Sequence, residues 1–370
     1  MPPAVAAFTD TYLPTVNGVT YTISAWRDRY ADRGGRMDVV YPDSTYDPDP
    51  GEHPVRSLPF PFYEGYRMGV PRIPAAIRDV DLVHAHTPFS VGFAGYRLAR
   101  QESLPLVASY HTPTGEYASY VAPDPLAGPV ATVSNRYERW FLERADLVLA
   151  PSEQTAANLR SRLRREVPVR AHPNGVDITR FKPREIDDFE RRYDLPADRP
   201  LIGYTGRHGH EKNLDAILEA AATLDVTVVF GGEGPATAAL REAAEQFDVD
   251  ARFLGFLDRA ELPLFYNALD VFAFPSPVET QGIVALEATA CGTPVVGVEA
   301  GALAETIVDG KTGYHYRPGN IDGFRAAIER AIDERAVLSE SCLDHRSEIS
   351  LSSAMDDLAA AYESVLSSTD

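Results

Sequence analysis

Short β-branched and apolar runs alternate with longer helical patterns along almost the whole chain. That alternation restricts the fold more than any single motif does. In the first half, Val5–Phe8, Met37–Tyr41, Asp81–Ala85, Leu106–Tyr110, Asp146–Ala150 and Val167–Ala171 read as strands. Between them, Gly18–Arg33, Phe89–Gln101, Thr132–Glu143 and Ser152–Arg165 read as helices, the last with Ser152 as its N-cap. The pattern restarts in the second half. Strands are expected at Leu201–Thr205, Thr227–Phe230, Arg252–Leu254, Val271–Phe274 and Pro294–Val298, with helices at Asn213–Leu224, Ala236–Phe247, Arg259–Asn267, Ile283–Cys291 and Asp322–Asp333. Strand, helix, strand, run twice, implies an α/β protein of two doubly wound parallel-sheet, Rossmann-like domains. Ligands of such sheets sit at the carboxyl ends of the strands, so two domains facing across a cleft would place the site in that cleft.

The 370 residues suit two domains, since domains run about 100–200 residues. The expected boundaries are a first domain over 1–175, a hinge over 176–198 carrying Pro183 and Pro196, a second domain over 199–346, and a C-terminal segment over 347–370 that reads as a helix. Tyr41–Pro61, rich in Pro and Asp, reads as a long surface loop. A hydrophobic fraction of 44% excludes a mainly disordered chain. The longest uncharged stretch, Thr11–Trp26, is interrupted by Pro14, Asn17 and Gly18, so no membrane span is expected. The start, MPPAVAAFTD, has neither the basic region nor the long apolar run of a signal peptide. Cys291 and Cys342 make no disulfide framework and no ligand cluster, and are expected to be reduced in a cytoplasmic protein.

Charge is uneven. The chain carries 35 Lys+Arg against 54 Asp+Glu, net −19, and only three of its cations are lysines: Lys182, Lys212 and Lys311. Residues 1–175 are net −1 and residues 176–370 net −18. An acidic, lysine-starved surface is what molar salt favours, because a Debye length of about 3 Å leaves crowded carboxylates little mutual repulsion. Nucleic acid is excluded as a partner, because it needs a basic stripe.

The most informative stretch is Ser276–Val296, SPVETQGIVALEATACGTPVV. Gly282 stands where a loop enters a helix that ends at Gly292 and Pro294. A helix start presents unpaired N–H groups and partial positive charge, so the backbone of Gly282, Ile283 and Val284 can hold a diphosphate. Glu279, in the loop, is placed to bond sugar hydroxyls. Glu287, one turn into the helix, can accept from a ribose diol; among Ala285, Leu286, Ala288 and Ala290 its carboxylate needs a partner. In Gly203–Leu214, GYTGRHGHEKNL, Arg207 and Lys212 follow a strand and can neutralise a diphosphate. GGEGP, 231–235, also follows a strand but is a weak signal alone.

In the first half, Asn17 and Gly18 join a strand's loop to a helix and can offer N–H groups to phosphate or to an acceptor hydroxyl. Asp10, Asn17, His86 and His111 are the candidate acceptor-side residues. His84-x-His86 lacks a third ligand at a convincing spacing, so these histidines are read as structural or substrate-binding and no metal site is expected. Three acidic triplets, Asp47-Pro48-Asp49, Asp79-Val80-Asp81 and Asp248-Val249-Asp250, resemble metal–diphosphate sites. The second lies at the wrong end of its strand and the others lie in apparent loops, so all three are discounted. Basic residues flank apolar ones at Arg136, Arg139, Trp140, Phe141 and Arg144, and run together at Arg160, Arg162, Arg164 and Arg165. They suit either an anionic membrane surface or pairing with local acids such as Glu138, Glu143 and Glu166.

Taken together, GRHGHEKNLD, GGEGP and ETQGIVALEATACGTPVV resemble, in order and spacing, the family 4 retaining glycosyltransferases of the GT-B fold. FTDTYLPTVNGV, HAHTPFSVG and SYHTP are similar to the branch with diacylglycerol glucosyltransferases and GDP-mannose-dependent mannosyltransferases. The resemblance implies transfer of a hexose from UDP-glucose or GDP-mannose, as substrate rather than cofactor, to a lipid or glycan acceptor, without a metal. It implies that Arg207 and Lys212 hold the diphosphate, Glu279 binds the donor sugar, Glu287 the ribose, Gly18 lies under the diphosphate, and His111 stands near the transferred sugar. It also implies a final helix that crosses back to the first domain. If the acceptor is a lipid, the arginine and apolar runs of the nearly neutral first half make this cytoplasmic enzyme peripheral at the inner face of the cell membrane. Gln281 departs from the pattern, which commonly has an aromatic there. With no carboxylate of the first-half motifs placed as a nucleophile, a double displacement lacks its carboxylate pair, and front-face departure of the diphosphate is expected. Alternatives are transfer to a soluble glycan or metabolite, a nucleotide-sugar 2-epimerase, a phosphorylase, and a sugar-nucleotide-binding protein without catalysis.

Overall fold

A computed structural model describes residues 2–15, 17–60, 66–111 and 124–368, with backbone only at 124–127. Val16, Thr112 and Pro113, which belong to the quoted motifs, lie outside the described residues. Gly175–Ser353 forms one compact unit, and the chain before it, joined by Ala354 onward, forms the other.

The first unit is built on a sheet of parallel strands. In chain order these are β1 (Ala4–Phe8), β2 (Arg36–Pro42) and β3 (Glu52–Val55), then, beyond a small antiparallel pair β4 (Ser57–Pro59) and β5 (Arg67–Gly69), β6 (Leu82–Ala85), β7 (Leu106–Ser109), β8 (Leu147–Ala150) and β9 (Val169–Ala171). Their spatial order is β3-β2-β1-β6-β7-β8-β9. Val5 registers with Met37 on one side and Leu82 on the other, so the order reverses beside β1. Val5, Ala6, Ala7 and Phe8 are wholly buried, as a strand covered on both faces requires. Helices α1 (Gly18–Asp32), α2 (Ser90–Glu102), α3 (Asp124–Leu142) and α4 (Glu153–Arg162) cross between strands. Asn17 and Ser152 cap α1 and α4 by accepting from the backbone N–H of Thr20 and Thr155.

The second unit repeats the plan. After a short α5 (Asp187–Tyr193) come β10 (Leu201–Thr205), α6 (Asp215–Ala221), β11 (Thr227–Gly231), α7 (Thr237–Gln246), β12 (Ala251–Gly255), α8 (Leu262–Ala268), β13 (Val271–Phe274), α9 (Ile283–Cys291), β14 (Val295–Val298), α10 (Leu303–Thr306), β15 (Gly313–Tyr316), α11 (Ile321–Asp333) and α12 (Arg335–His345). The strand order is β12-β11-β10-β13-β14-β15, reversing between β10 and β13. Its core is anchored by Phe230, Phe265, Phe272 and Phe274, each contributing on the order of 1.5–3 kcal/mol by burial. Helix α13 (Leu351–Ser367) buries Leu351, Ala354, Met355, Leu358, Ala361, Tyr362 and Val365, a stripe of alternating three- and four-residue spacing, and from Ala354 it belongs with the first unit.

Several elements depart from expectation. The 41–61 stretch contains β3, whose Pro54 is admissible because β3 is the edge strand and one side of it needs no donor. The stretch expected as a hinge packs Phe181, Phe189 and Leu195 into the core of the second unit, because its prolines separate apolar anchors rather than a polar linker. Helix α3 begins eight residues earlier than expected, with Pro129 inside it. β15 and α12 were not anticipated. β15 spans only four residues, and α12 buries only Leu338 and Cys342.

Candidate active site

In the second unit the carboxyl edge of the sheet carries two interlocked glycine loops. The chain leaves β10 through Gly206 (φ +144°), and the loop after β11 turns through Gly232 (φ +98°). Gly206 N–H donates to Gly231 O at 3.1 Å, His208 N–H to Glu233 O at 3.0 Å, and Ala236 N–H to His208 O at 2.9 Å. A methyl at Gly232 would be driven into the carbonyl of Gly206, and one at Gly234 into that of His208. Buried His208 pins the pair through Thr237 Oγ1 at 2.9 Å and Gly231 O at 3.3 Å. GGEGP therefore braces the loop that carries Arg207.

Both candidate cations are paired with acids. Lys212 Nζ donates to Glu279 Oε1 at 2.6 Å, both side chains largely covered, and Arg207 pairs with Glu211 four residues on. Glu279 leads into Gly282 (φ +75°), the N-cap of α9, where a Cβ would meet Leu303 Cδ2 at 2.7 Å and Phe274 Cε1 at 3.2 Å. Glycine is required here by backbone conformation and packing together. Among the described residues none accepts from the N–H groups of Ile283 and Val284, which leaves that helix start able to take an anion. Gln281 is buried, and its carbonyl accepts from Thr306 Oγ1.

Glu287 is placed differently from expectation. Its side chain is 3% exposed, with Arg259 Nη1 at 3.2 Å from Oε1 and Tyr266 Oη donating to Oε2 at 2.9 Å. Burial raises its pKa, opposed by the Arg259 charge and the hydrogen bonds from Tyr266 and Arg259. The partner its apolar setting demanded is thus Arg259 with Tyr266, and a ribose would have to share that carboxylate with them. Neither residue was singled out by sequence, because neither is near Glu287 along the chain.

In the first unit the acceptor-side candidates separate into two kinds. Asp10 is buried at the start of α2. Thr87 Oγ1 (2.6 Å) and Gly92 N–H (3.2 Å) donate to Oδ2, and Ser90 Oγ (3.0 Å) and Val91 N–H (2.8 Å) to Oδ1. Burial raises its pKa against those four bonds. A carboxylate so occupied fixes a helix start and is not presented to an acceptor. Asn17 is likewise spent, on Thr20 N–H and on Thr11 Oγ1. Gly18, by contrast, has open space where a Cβ would lie.

His86 and His111 follow neighbouring strands β6 and β7. His86 is buried at 1% exposure, while His111 is partly exposed, so of the two His111 alone can meet a substrate directly. Their Nδ1 and Nε2 atoms are 3.2 Å apart. His84 stacks on His86 with centroids 4.0 Å apart and touches Tyr362 Oη and Ser109 Oγ, each at 2.8 Å. His172 and Trp26 close the cluster, centroids 5.0 Å apart. Burial, with lesser contributions from neighbouring imidazoles, holds His84 and His86 well below 6.5 and His111 at about 4; burial and Arg170 bring His172 to about 4.

Residues 16–180 match the family model described as Glycosyltransferase Family 4, and residues 185–347 the one described as Glycosyl transferases group 1. A GDP-mannose-dependent alpha-mannosyltransferase of Mycolicibacterium smegmatis is 31% identical over 341 residues, covering 89% of this chain and 87% of the relative. The chain belongs to the family 4, group 1 glycosyltransferases. An alpha-monoglucosyldiacylglycerol synthase of Streptococcus pneumoniae is 29% identical over 315 residues, covering 79% and 70%. The sucrose-phosphate synthase of Thermosynechococcus elongatus superposes with a TM-score of 0.80 at 21% identity, covering 99% of this chain and all of that one, which places the glycosyltransferase in the GT-B fold.

The basic and apolar run on α3 of this glycosyltransferase is not a free surface. Phe141 is in the core, and Trp140 stacks on Tyr137 with the Arg144 guanidinium 3.9 Å above its ring. Arg160 pairs with Glu153 and Arg162 with Glu138, the local pairing that was the plainer alternative. Exposed apolar side chains of the first unit are Leu58 and Met68, a cross-strand pair of β4 and β5, with Val70, Phe89 and, earlier on α3 itself, Val133. No helix among the described residues is long and apolar enough to cross a membrane.

Proposed function

We propose that this glycosyltransferase moves glucose or mannose from a nucleoside-diphosphate sugar to an acceptor hydroxyl, with retention at the anomeric carbon and without a metal ion. The observation that carries the reading is the Lys212–Glu279 pair beside the start of α9, at the point where the second sheet reverses its order. A diphosphate offers Lys212 and Arg207 more negative charge than their resting carboxylates do. Its binding frees Glu279 to accept from sugar hydroxyls, while the N–H groups of Ile283 and Val284 take phosphate oxygens. Glu287 then serves the nucleoside in company with Arg259, and Gly18 keeps the diphosphate role that the family resemblance gives it.

Retention by front-face departure is supported by the state of Asp10. It is the carboxylate of the first-unit motifs, and its four hydrogen bonds leave it unsuited to attack an anomeric carbon. Lys212, Arg207 and the helix start stabilise the leaving diphosphate, which takes the acceptor's proton. The printed name of the M. smegmatis relative supports GDP-mannose as donor, and that of the S. pneumoniae relative supports a glycerolipid acceptor. With a lipid acceptor, the enzyme works from the cytoplasm at the membrane face, and exposed Leu58 and Met68 replace Trp140 and Phe141 as its apolar contact. Incubation with labelled GDP-mannose or UDP-glucose, with and without dispersed diacylglycerol, tests this. Acceptor-dependent transfer that persists in EDTA is expected. Transfer to a soluble sugar alone would make it a soluble-glycan or metabolite enzyme, and a donor consumed without acceptor would indicate an epimerase. The acid-rich, lysine-poor composition further suits molar salt: the unfolding temperature should rise up to molar KCl, and a flat response would leave an ordinary acidic protein.

A further inference from the structure

His86 is sealed from solvent yet sits one ring behind the partly exposed His111. Its two nitrogens have unequal surroundings. Nδ1 lies 3.2 Å from Nε2 of His111, and the two ring planes are within 15° with centroids 5.4 Å apart, so the imidazoles meet edge to edge along a hydrogen bond. Nε2 of His86 is buried and meets no partner among the described residues. Both rings are neutral near pH 7, since burial depresses both, so each carries a single proton. A buried N–H with no acceptor costs more than a bare lone pair, because the donor loses a strong bond to water while the lone pair forfeits a weaker one.

We propose that His86 is a positioning residue that carries its proton on Nδ1, donates it to Nε2 of His111, and so leaves His111 protonated on Nδ1 as a hydrogen-bond donor. The inference rests on the reading that His111 stands near the transferred sugar. It leaves His111 neutral with its Nε2 lone pair engaged, so that nitrogen is no base for the acceptor, which agrees with the leaving diphosphate taking the acceptor's proton. The arrangement is held from behind. His84 stacks on His86 at 4.0 Å and is bound at Nδ1 to Tyr362 Oη of α13 and at Nε2 to Ser109 Oγ of β7. Trp26 of α1 lies 5.8 Å from His86, centroid to centroid, and 5.0 Å from His172. The ring of His86 is therefore confined on several sides before any substrate arrives.

Two-bond ¹H–¹⁵N spectra of the full-length wild-type protein, labelled at its nine histidines, read the tautomers directly. His86 and His111 should both appear as Nδ1–H forms; His86 found as the Nε2–H form overturns the proposal. In kinetics, His86→Asn keeps a donor near the Nδ1 position and should retain turnover within a few-fold. His86→Leu should lose about 10–100-fold in kcat with KM little changed. Equal activity of the two folded variants also overturns it. If His86→Leu fails to fold, the wild-type spectra still decide. Full transfer by His111→Ala would instead sink the role of His111 in the reaction while leaving the tautomer assignment to the spectra.

Discussion

Lys212 and Arg207 are surface-loop cations whose partners, Glu279 and Glu211, are also the residues a substrate would engage or disturb. Neither carries a core, so Lys212→Ala and Arg207→Ala should fold with little change in unfolding temperature and lose about 10²-fold or more in kcat. Wild-type turnover in either folded variant would contradict the assignment. Glu287 behaves differently, because it is buried against Arg259 and Tyr266. Glu287→Gln should weaken binding of the bare nucleoside diphosphate and also destabilise the protein by about 1–3 kcal/mol, since it leaves Arg259 without its buried charge partner. Calorimetric titration beside thermal unfolding separates the two effects, and unchanged affinity would place the nucleotide elsewhere. At this scale, sequence reading singles out residues by their neighbours along the chain. Lys212, Glu279 and Gly282 belong to local strand–loop–helix patterns. It placed Asp10 and Asn17 on the acceptor side without sight of the hydrogen bonds that engage both. The donors to Asp10 come from Thr87, Ser90, Val91 and Gly92, and nothing local to residue 10 announces them.

Elements were legible where both faces are covered. β1, β10 and β13 read as unbroken apolar runs, and α9 has its boundaries written as Gly282 and Gly292 with Pro294 beyond. β3 and β15 were not, because an edge position admits Pro54 in one, and the other is only four residues long, GYHY, too short for its alternation to stand out. The two glycine loops after β10 and β11 show how an element's shape reaches the chemistry. Gly232→Ala pushes a methyl into the Gly206 carbonyl and displaces the loop bearing Arg207, on top of the strain of a positive φ. It should therefore weaken donor binding, seen as a raised KM for the nucleotide sugar and a lower kcat/KM, and cost about 1–3 kcal/mol of stability. Gly18→Ala meets open space and should fold normally. A Gly232→Ala variant with unchanged kinetics and stability would show that the brace is dispensable.

The molecule as a whole keeps four neutral histidines together in the first unit, and this sets its response to acid. An unfolded histidine titrates near 6.5, whereas His111 and His172 hold out to about 4 and His84 and His86 lie well below 6.5. Below pH 6.5 the unfolded chain therefore binds protons that the native state refuses. Stability is fully present above that pH and falls progressively toward pH 4, with His172 alone contributing on the order of 3 kcal/mol across that window. Asp10 and Glu287, raised by burial, act with the opposite sign but are fewer. Denaturant titrations at pH 7.5, 6 and 5 should show the free energy of unfolding dropping by several kcal/mol, less steeply in Tyr362→Phe, which loosens the cluster beforehand. A flat profile would mean that the imidazoles are hydrated. The alternation of elements was enough to show two doubly wound units; the return of the last helix to the first came from the family resemblance instead, and α13 makes it from Ala354 onward through a buried stripe that includes Tyr362. The account's central claim, retaining transfer from a nucleotide sugar, is tested most directly by the anomeric configuration of the first glycoside formed from an α-linked donor, read by proton NMR before any mutarotation. An α-glycoside is predicted. A β-glycoside would contradict the front-face departure built on Lys212, Arg207 and the start of α9.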